Sequence, residues 1–249
     1  MDVLVVPADR PRGWYLSLMA PNTKGPTFAW VDPSRIYCNH QALSDCVHDI
    51  LEPFQNEAID LVAGIDAMGF VIGSAVATKL GKGFLAIRKA GNLCVPTHAQ
   101  PYVDYSGCQK VLEVRLDVLK PGLRVLLIDQ WIETGGTMKA AISLVERFGA
   151  VVVGVAAVAI ENSQGGRWIK QNYRCSSCVP EELHPQIDRK YLDSFKTFNN
   201  LPQYMRVATG SLAGGRAAAP VLSLSPASLT PLKRLYDYFE LVCLKMRRM

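Results

Sequence analysis

The stretch from Arg124 to Met138, RVLLIDQWIETGGTM, constrains this chain more than any other. An apolar run ends on an acid, Asp129. Thr134, Gly135, Gly136 and Thr137 follow, and a helical pattern continues from Met138 to Phe148. This order predicts a buried strand that carries Asp129 to its carboxyl end, then a turn, then a helix. Glycines let backbone N–H groups close on a ligand, and a helix N-terminus adds positive potential. The combination suits a phosphate monoester. Asp129 cannot hold phosphate directly, but it can accept hydrogen bonds from ribose hydroxyls. Acid and cradle together point to a ribose 5-phosphate. Taken alone, the four loop residues also fit an ordinary glycine-rich corner. No Gly-Lys-Ser/Thr follows, so this is not the loop of P-loop proteins, and it is not GxGxxG.

Length and composition narrow the field. A chain of 249 residues, 49% apolar and 20% charged, has ample core for one large domain or two small ones. No apolar run approaches the roughly 18 residues of a membrane span. Val3 to Val6 is too short for the core of a signal peptide and lacks a basic start. The expectation is a cytosolic or nuclear protein without a membrane partner. Seven scattered cysteines fit reduced thiols better than a disulfide framework. The net charge of +5 is mild, and the basic residues cluster only at Lys245–Arg248. That balance suits phosphorylated small molecules, and nucleic acid is not the expected partner.

Three regions are expected. Residues 1–40, with prolines, aromatics and little periodicity, read as an N-terminal arm or hood. Residues 41–200 carry the repeated strand–helix pattern. Residues 201–249 read as a linker, rich in Ala, Gly, Pro and Ser from Ala208 to Ser228, and a terminal helix begun by Thr230 and Pro231. Its stripe of Leu232, Leu235, Tyr236, Phe239, Val242 and Met246 forms a docking face for the domain or for a second subunit. Within the central region, helical spacing covers Asp45 to Phe54. Asp60 to Ile65 is a strand, followed by a loop from Asp66 and a helix ending near Gly81. Gly83 to Ile87 and Val111 to Leu116 are strands, and Val151 to Ile160 reads as a strand buried on both faces. Ala90 to Gly107 is polar and without clear period, a length usual for a functional lid. The alternation of strands and helices predicts a parallel α/β sheet with ligands at the strands' carboxyl ends.

Five segments in order then resemble adenine phosphoribosyltransferase, a type I phosphoribosyltransferase. They are AGIDAMGF at Ala63–Phe70, IRKAGNL at Ile87–Leu93, YVDY at Tyr102–Tyr105, LKPGLRVLLID at Leu119–Asp129 and TGGTM at Thr134–Met138. The resemblance implies that fold, with a small N-terminal hood and a C-terminal helical extension, and a homodimer. It implies transfer of ribose 5-phosphate from phosphoribosyl pyrophosphate, carried with Mg²⁺, onto a purine nitrogen with release of pyrophosphate. Glu133, Thr134, Gly135, Gly136 and Thr137 would cradle the 5-phosphate, and Asp129 and Gln130 would meet the ribose. Asp66, Ala67, Met68, Gly69, Arg88 and Lys89 would hold pyrophosphate, around a strained or cis Asp66–Ala67 peptide. Phe28 and Trp30 would line the purine side, where Trp30 can stack on a base or pack in the core. Asp104 falls where the family places a glutamate that handles the purine proton. No side-chain set is expected to bind a metal on its own.

Three departures bear on activity. The family's second ribose acid is Gln130 here, an amide that brings no charge to a Mg²⁺–ribose complex. Its pyrophosphate-loop arginine is Met68, and a thioether cannot pair with pyrophosphate. Glu133 stands where adenine-specific members carry a small residue and 6-oxopurine members an aspartate. It either restores an acid beside the base or points to solvent. These changes predict weak or altered turnover, or a non-catalytic module that binds a nucleotide or phosphoribosyl pyrophosphate. Elsewhere, Cys175-Ser-Ser-Cys178 lacks the second pair that a zinc site requires, and it reads as two free thiols.

Overall fold

The computed structural model describes residues 6–24, 28–104 and 106–187. A 3₁₀ turn at Trp14–Leu18 leads to a two-stranded antiparallel ribbon, β1 (Ala20–Lys24) and β2 (Phe28–Asp32). Then come α1 (His40–Leu51), β3 (Leu61–Ile65), α2 (Met68–Leu80) and β4 (Gly83–Lys89). They are followed by β5 (Thr97–Val103), β6 (Gln109–Arg115), β7 (Arg124–Ile132) and α3 (Gly136–Glu146). The described part closes with β8 (Val151–Ile160), α4 (Gln164–Asn172), β9 (Cys175–Ser177) and the short α5 (His184–Ile187). The expected linker and terminal helix at 201–249 lie outside the described residues.

Seven strands form one sheet in the order β5-β6-β4-β3-β7-β8-β9. The centre is parallel: β3 pairs with β4 and β7, and β7 with β8. These strands read as near-continuous apolar runs because both of their faces are covered. Leu126 and Ile128 of β7 enter one core with Val62, Ala156 and Val158. Val125 and Leu127 enter the other with Ala63, Val155 and Ala157. The period-2 alternation of a strand splits one sequence run between two cores.

The sheet is mixed where a parallel one was expected. β6 runs antiparallel to both β4 and β5. The presumed lid, residues 90–107, is therefore half strand. Pro101 and the exposed outer positions of an edge hairpin hide the alternation of THAQPYV. Within the N-terminal region expected as an arm or hood, all six residues of Trp14–Met19 are buried. The Trp14 indole N–H donates to Asp45 (2.8 Å). The Tyr15 hydroxyl (2.9 Å) and the Gly13 N–H (3.1 Å) donate to Asp49. Asp45 and Asp49 stand one turn apart on α1, so this helix anchors the N-terminal segment in the core.

Candidate active site

Helix starts divide into two kinds here. The Asn39 side chain caps α1 by accepting the Ala42 N–H (2.9 Å), and the Ser163 hydroxyl caps α4 by accepting the Gly166 N–H (3.0 Å). The starts of α2 and α3, at Ala67 and Gly135, have no side-chain cap. Their first N–H groups are the orphan donors that every helix leaves open. Both follow central parallel strands, β3 and β7, so they open at the same end of the sheet. The start of α2 lies against Asp129: a Cβ at Gly69 would lie 2.8 Å from the Ile128 carbonyl oxygen and 3.3 Å from Asp129 Oδ1. Only glycine permits that approach.

Asp129 is not the last residue of its strand. β7 leaves its β3 partner after Ile128 but stays paired with β8 as far as Ile132. The acid thus stands at the point where one neighbouring strand ends and a crevice begins. Burial pushes its carboxyl up to about 7, against the Gln130 N–H, which donates to Oδ1 at 2.7 Å. Gln130 is buried, and its side-chain oxygen has no hydrogen-bond partner among the described residues. The Tyr37 hydroxyl is likewise buried without a partner among the described residues. Burial holds that phenol well above its usual range, and the neighbouring acidic groups of Cys46, Asp129, Cys178 and Asp32 add to the effect. Sequence reasoning had no signal for Tyr37, which follows β2 in a 3₁₀ turn at Ser34–Cys38.

The TGGT loop is wedged between two neighbours. Gly135 adopts φ +80°, and a Cβ there would meet the Gly165 backbone at 2.8 Å. A Cβ at Gly165 would come within 1.9 Å of the Thr134 carbonyl oxygen, and one at Gly136 within 2.2 Å of that of Val103. A side chain at Gly135 would strike the first turn of α4. The β5–β6 hairpin reaches the loop from the other side, where the Val103 carbonyl oxygen faces Gly136. Glu133 is half-buried, and its carbonyl accepts the Ser163 hydroxyl at 2.5 Å.

On the second loop the Asp66–Ala67 peptide is cis, as the resemblance implied. The Asp66 carboxylate accepts from Arg88 Nε (3.3 Å) and the Lys89 N–H (3.5 Å). Arg88 and Lys89 are thereby brought beside Asp66. Met68 opens α2 with 37% of its surface exposed. Asp104 sits at the hairpin tip, where its Oδ1 accepts the Ser106 N–H (2.9 Å), the Ser106 hydroxyl (2.6 Å) and the Cys108 N–H (3.1 Å). Those bonds hold the carboxyl below its usual range, the Ser106 hydroxyl contributing most. The side chain expected to handle a purine proton closes its own turn. Phe28 and Trp30 both fall in β2, opposite Lys24 and Asn22.

The two thiols of the C-x-x-C part company. Cys175 Sγ donates to the Tyr173 carbonyl (3.4 Å), whereas Cys178 Sγ lies 3.8 Å from Cys46 Sγ. Among the described residues no group of three or more His, Cys, Asp or Glu could hold a metal ion. No described helix is long and apolar enough to cross a membrane.

A central parallel sheet with two uncapped helix starts at one end, one of them against a buried acid, defines an α/β protein of the class whose ligands bind at the strand ends. The chain belongs to the phosphoribosyl transferase domain family, which it matches over residues 34–187, and within that family it is adenine phosphoribosyltransferase-like. It is 41% identical over 137 residues to an adenine phosphoribosyltransferase of Jannaschia sp., spanning 55% of this chain and 75% of the relative. An adenine phosphoribosyltransferase of a Cyanothece species is 37% identical over 147 residues, 59% of this chain and 86% of the relative. The Giardia lamblia enzyme, solved in complex with 9-deazaadenine, superposes with a TM-score of 0.62 at 31% identity. That match covers 67% of this chain and 96% of the other.

Proposed function

We propose that the protein binds phosphoribosyl pyrophosphate and a purine, adenine or a close relative, and forms the nucleoside monophosphate and pyrophosphate at a low rate. The observation that carries this reading is the pair of uncapped helix starts after the neighbouring parallel strands β3 and β7, the first of them packed at Gly69 against Asp129. Thr134 to Thr137 would take the 5-phosphate, and Asp129 with Gln130 the ribose hydroxyls. Asp66 to Gly69, Arg88 and Lys89 would take the pyrophosphate. Phe28 and Trp30 would lie on the purine side.

Cleavage at the anomeric carbon develops positive charge on the ribose and negative charge on the leaving group. Catalysis is then mostly placement of countercharge. Arg88 and Lys89 oppose the leaving pyrophosphate, while Met68 adds only an exposed thioether. Mg²⁺ fits this site in its usual protein role, held by one or two oxygen donors plus substrate phosphates. The desolvated Asp129 carboxyl and the unpartnered oxygen of Gln130 are such donors. When bound, Mg²⁺ would neutralise pyrophosphate charge. Purine proton handling would fall to Asp104, whose turn bonds all go to Oδ1, or to Glu133.

Met68 and Gln130 favour a second reading, a non-catalytic module that binds nucleotides or phosphoribosyl pyrophosphate and serves in regulation. A product assay with phosphoribosyl pyrophosphate, Mg²⁺ and each common purine separates the two. Slow formation of a monophosphate from one base supports the enzyme. No product from any base, with monophosphate binding intact, supports the module. Absence of both product and binding rejects the site.

A further inference from the structure

Glu113 lies on β6, outside every assigned subsite, and it is 5% exposed. Burial alone would push its carboxyl up. Instead the Leu93, Asn92 and Gly91 N–H groups and the Thr97 hydroxyl pull it below its usual range. The N–H groups of Asn92 and Leu93 both donate to Oε1 at 2.8 Å, and the Thr97 hydroxyl donates to Oε2 at 3.2 Å. An ionised carboxylate with this many donors fixes the turn after β4 firmly.

The turn in turn grips the cations. Its Asn92 carbonyl accepts from an Arg88 guanidinium nitrogen at 2.9 Å, and the Asn92 side chain donates to the Lys89 carbonyl at 2.9 Å. Arg88 reaches from there to Asp66 Oδ2. Glu113 is also the direct cross-strand partner of Arg88, since β4 and β6 pair at Arg88↔Glu113. A buried acid, a turn, a guanidinium and the Asp66 loop thus form one connected chain.

We propose that Glu113 is a positioning residue for pyrophosphate: it holds the 91–93 turn, and through it Arg88, at the Asp66 loop, and so confers the affinity that phosphoribosyl pyrophosphate has beyond ribose 5-phosphate. This rests on the proposed function. Met68 supplies no charge at this loop, so the fixed Arg88 is the guanidinium placed there for the leaving group. The 5-phosphate cradle, on β7 and α3, makes no contact with the Glu113 network among the hydrogen bonds described above.

Calorimetric titration of the full chain with ribose 5-phosphate and with phosphoribosyl pyrophosphate plus Mg²⁺ reads the two affinities separately. In the parent, phosphoribosyl pyrophosphate should bind about tenfold tighter. Glu113→Gln should lower that affinity to the level of ribose 5-phosphate while leaving ribose 5-phosphate unchanged. Should Glu113→Gln fold poorly, Arg88→Gln provides the same reading. Where both fold, the double variant should lose no more than Arg88→Gln alone, which a merely structural role for Glu113 would not produce. Equal loss of both ligands, a preserved increment in Glu113→Gln, additive losses in the double variant, or a parent with no increment overturns the inference. A parent that binds neither sugar phosphate rejects the proposed function instead.

Discussion

The two strand–loop–helix units that follow β3 and β7 are built alike and equipped differently. In β7–α3 every conformational demand is met. Gly135 supplies a positive φ, Gly136 clears the Val103 carbonyl, and Gly165 clears that of Thr134. In β3–α2 the backbone demands are met as well, by Gly69 against Ile128 and by the cis Asp66–Ala67 peptide. Its side-chain charge is not, because Met68 stands at the first helical position. The difference teaches that a binding loop has two separable requirements. Backbone geometry decides whether a ligand can approach. Side-chain charge decides how strongly a polyanion such as pyrophosphate is held as it leaves.

The largest effect should come from breaking the better-equipped unit. Gly165→Ala places a methyl 1.9 Å from the Thr134 carbonyl, where backbone must move. Affinity for adenosine monophosphate should fall more than about a hundredfold, near 2.7 kcal/mol. Calorimetry on the folded variant checks this, and unchanged affinity would detach the TGGT loop from the ligand.

Next comes repair of the weaker unit. Met68→Arg with Gln130→Asp should raise turnover by up to about a hundredfold, since about 3 kcal/mol of transition-state stabilisation is worth that factor. Monophosphate affinity should change little. If a steady-state assay shows no gain while binding is preserved, the defect lies elsewhere, with the purine side near Trp30 the first candidate.

A smaller effect tests the acid between the units. The Asp129 carboxyl is raised in the folded state, to about 7 from an ordinary 3.8. Between those values the folded chain keeps a proton that the unfolded chain has released. Stability therefore falls as pH rises through this window, and the loss is complete above the folded value. Asp129→Asn should remove the slope. At pH about 8 it should exceed the parent by roughly 2 kcal/mol, allowing for partial access of solvent, and at pH about 4 the two should match. Denaturant melts at the two pH values measure it, and parallel curves would show that Asp129 stays ionised.

The smallest effect separates capped from open helices. Ser163→Ala removes the α4 cap and should cost about 1 kcal/mol of stability. It also deletes the hydroxyl held by the Glu133 carbonyl, so a thermal melt should shift by a few degrees. Asn39→Ala, at a helix far along the chain from the cradle, should cost a similar amount and leave monophosphate affinity untouched.

Much of this contrast was legible in the residues. The apolar runs of β3, β7 and β8 announce strands buried on both faces, and the acid-then-glycine order after β7 announces the cradle. Gly81, in a left-handed conformation at the end of α2, falls where the sequence ended that helix. Other features were hidden because their cause is tertiary. β5 shows no apolar face, since its exposed outer positions and Pro101 blur the period. Trp14–Met19 is core only because Asp45 and Asp49 of α1 hold its polar groups. Asp104 reads as a candidate acid in sequence, yet Ser106 and Cys108 occupy its Oδ1. Glu113 carried no motif at all, and only the pairing of β6 with β4 brings it to Arg88.

The central claim is that the 5-phosphate side is intact and the pyrophosphate side is weakened. Titration of the unaltered chain with ribose 5-phosphate, and then with phosphoribosyl pyrophosphate plus Mg²⁺, tests it most directly. Ribose 5-phosphate should bind clearly, with a gain of about tenfold, near 1.4 kcal/mol, from the added pyrophosphate. A gain of about a thousandfold, or no binding of ribose 5-phosphate, would contradict that claim.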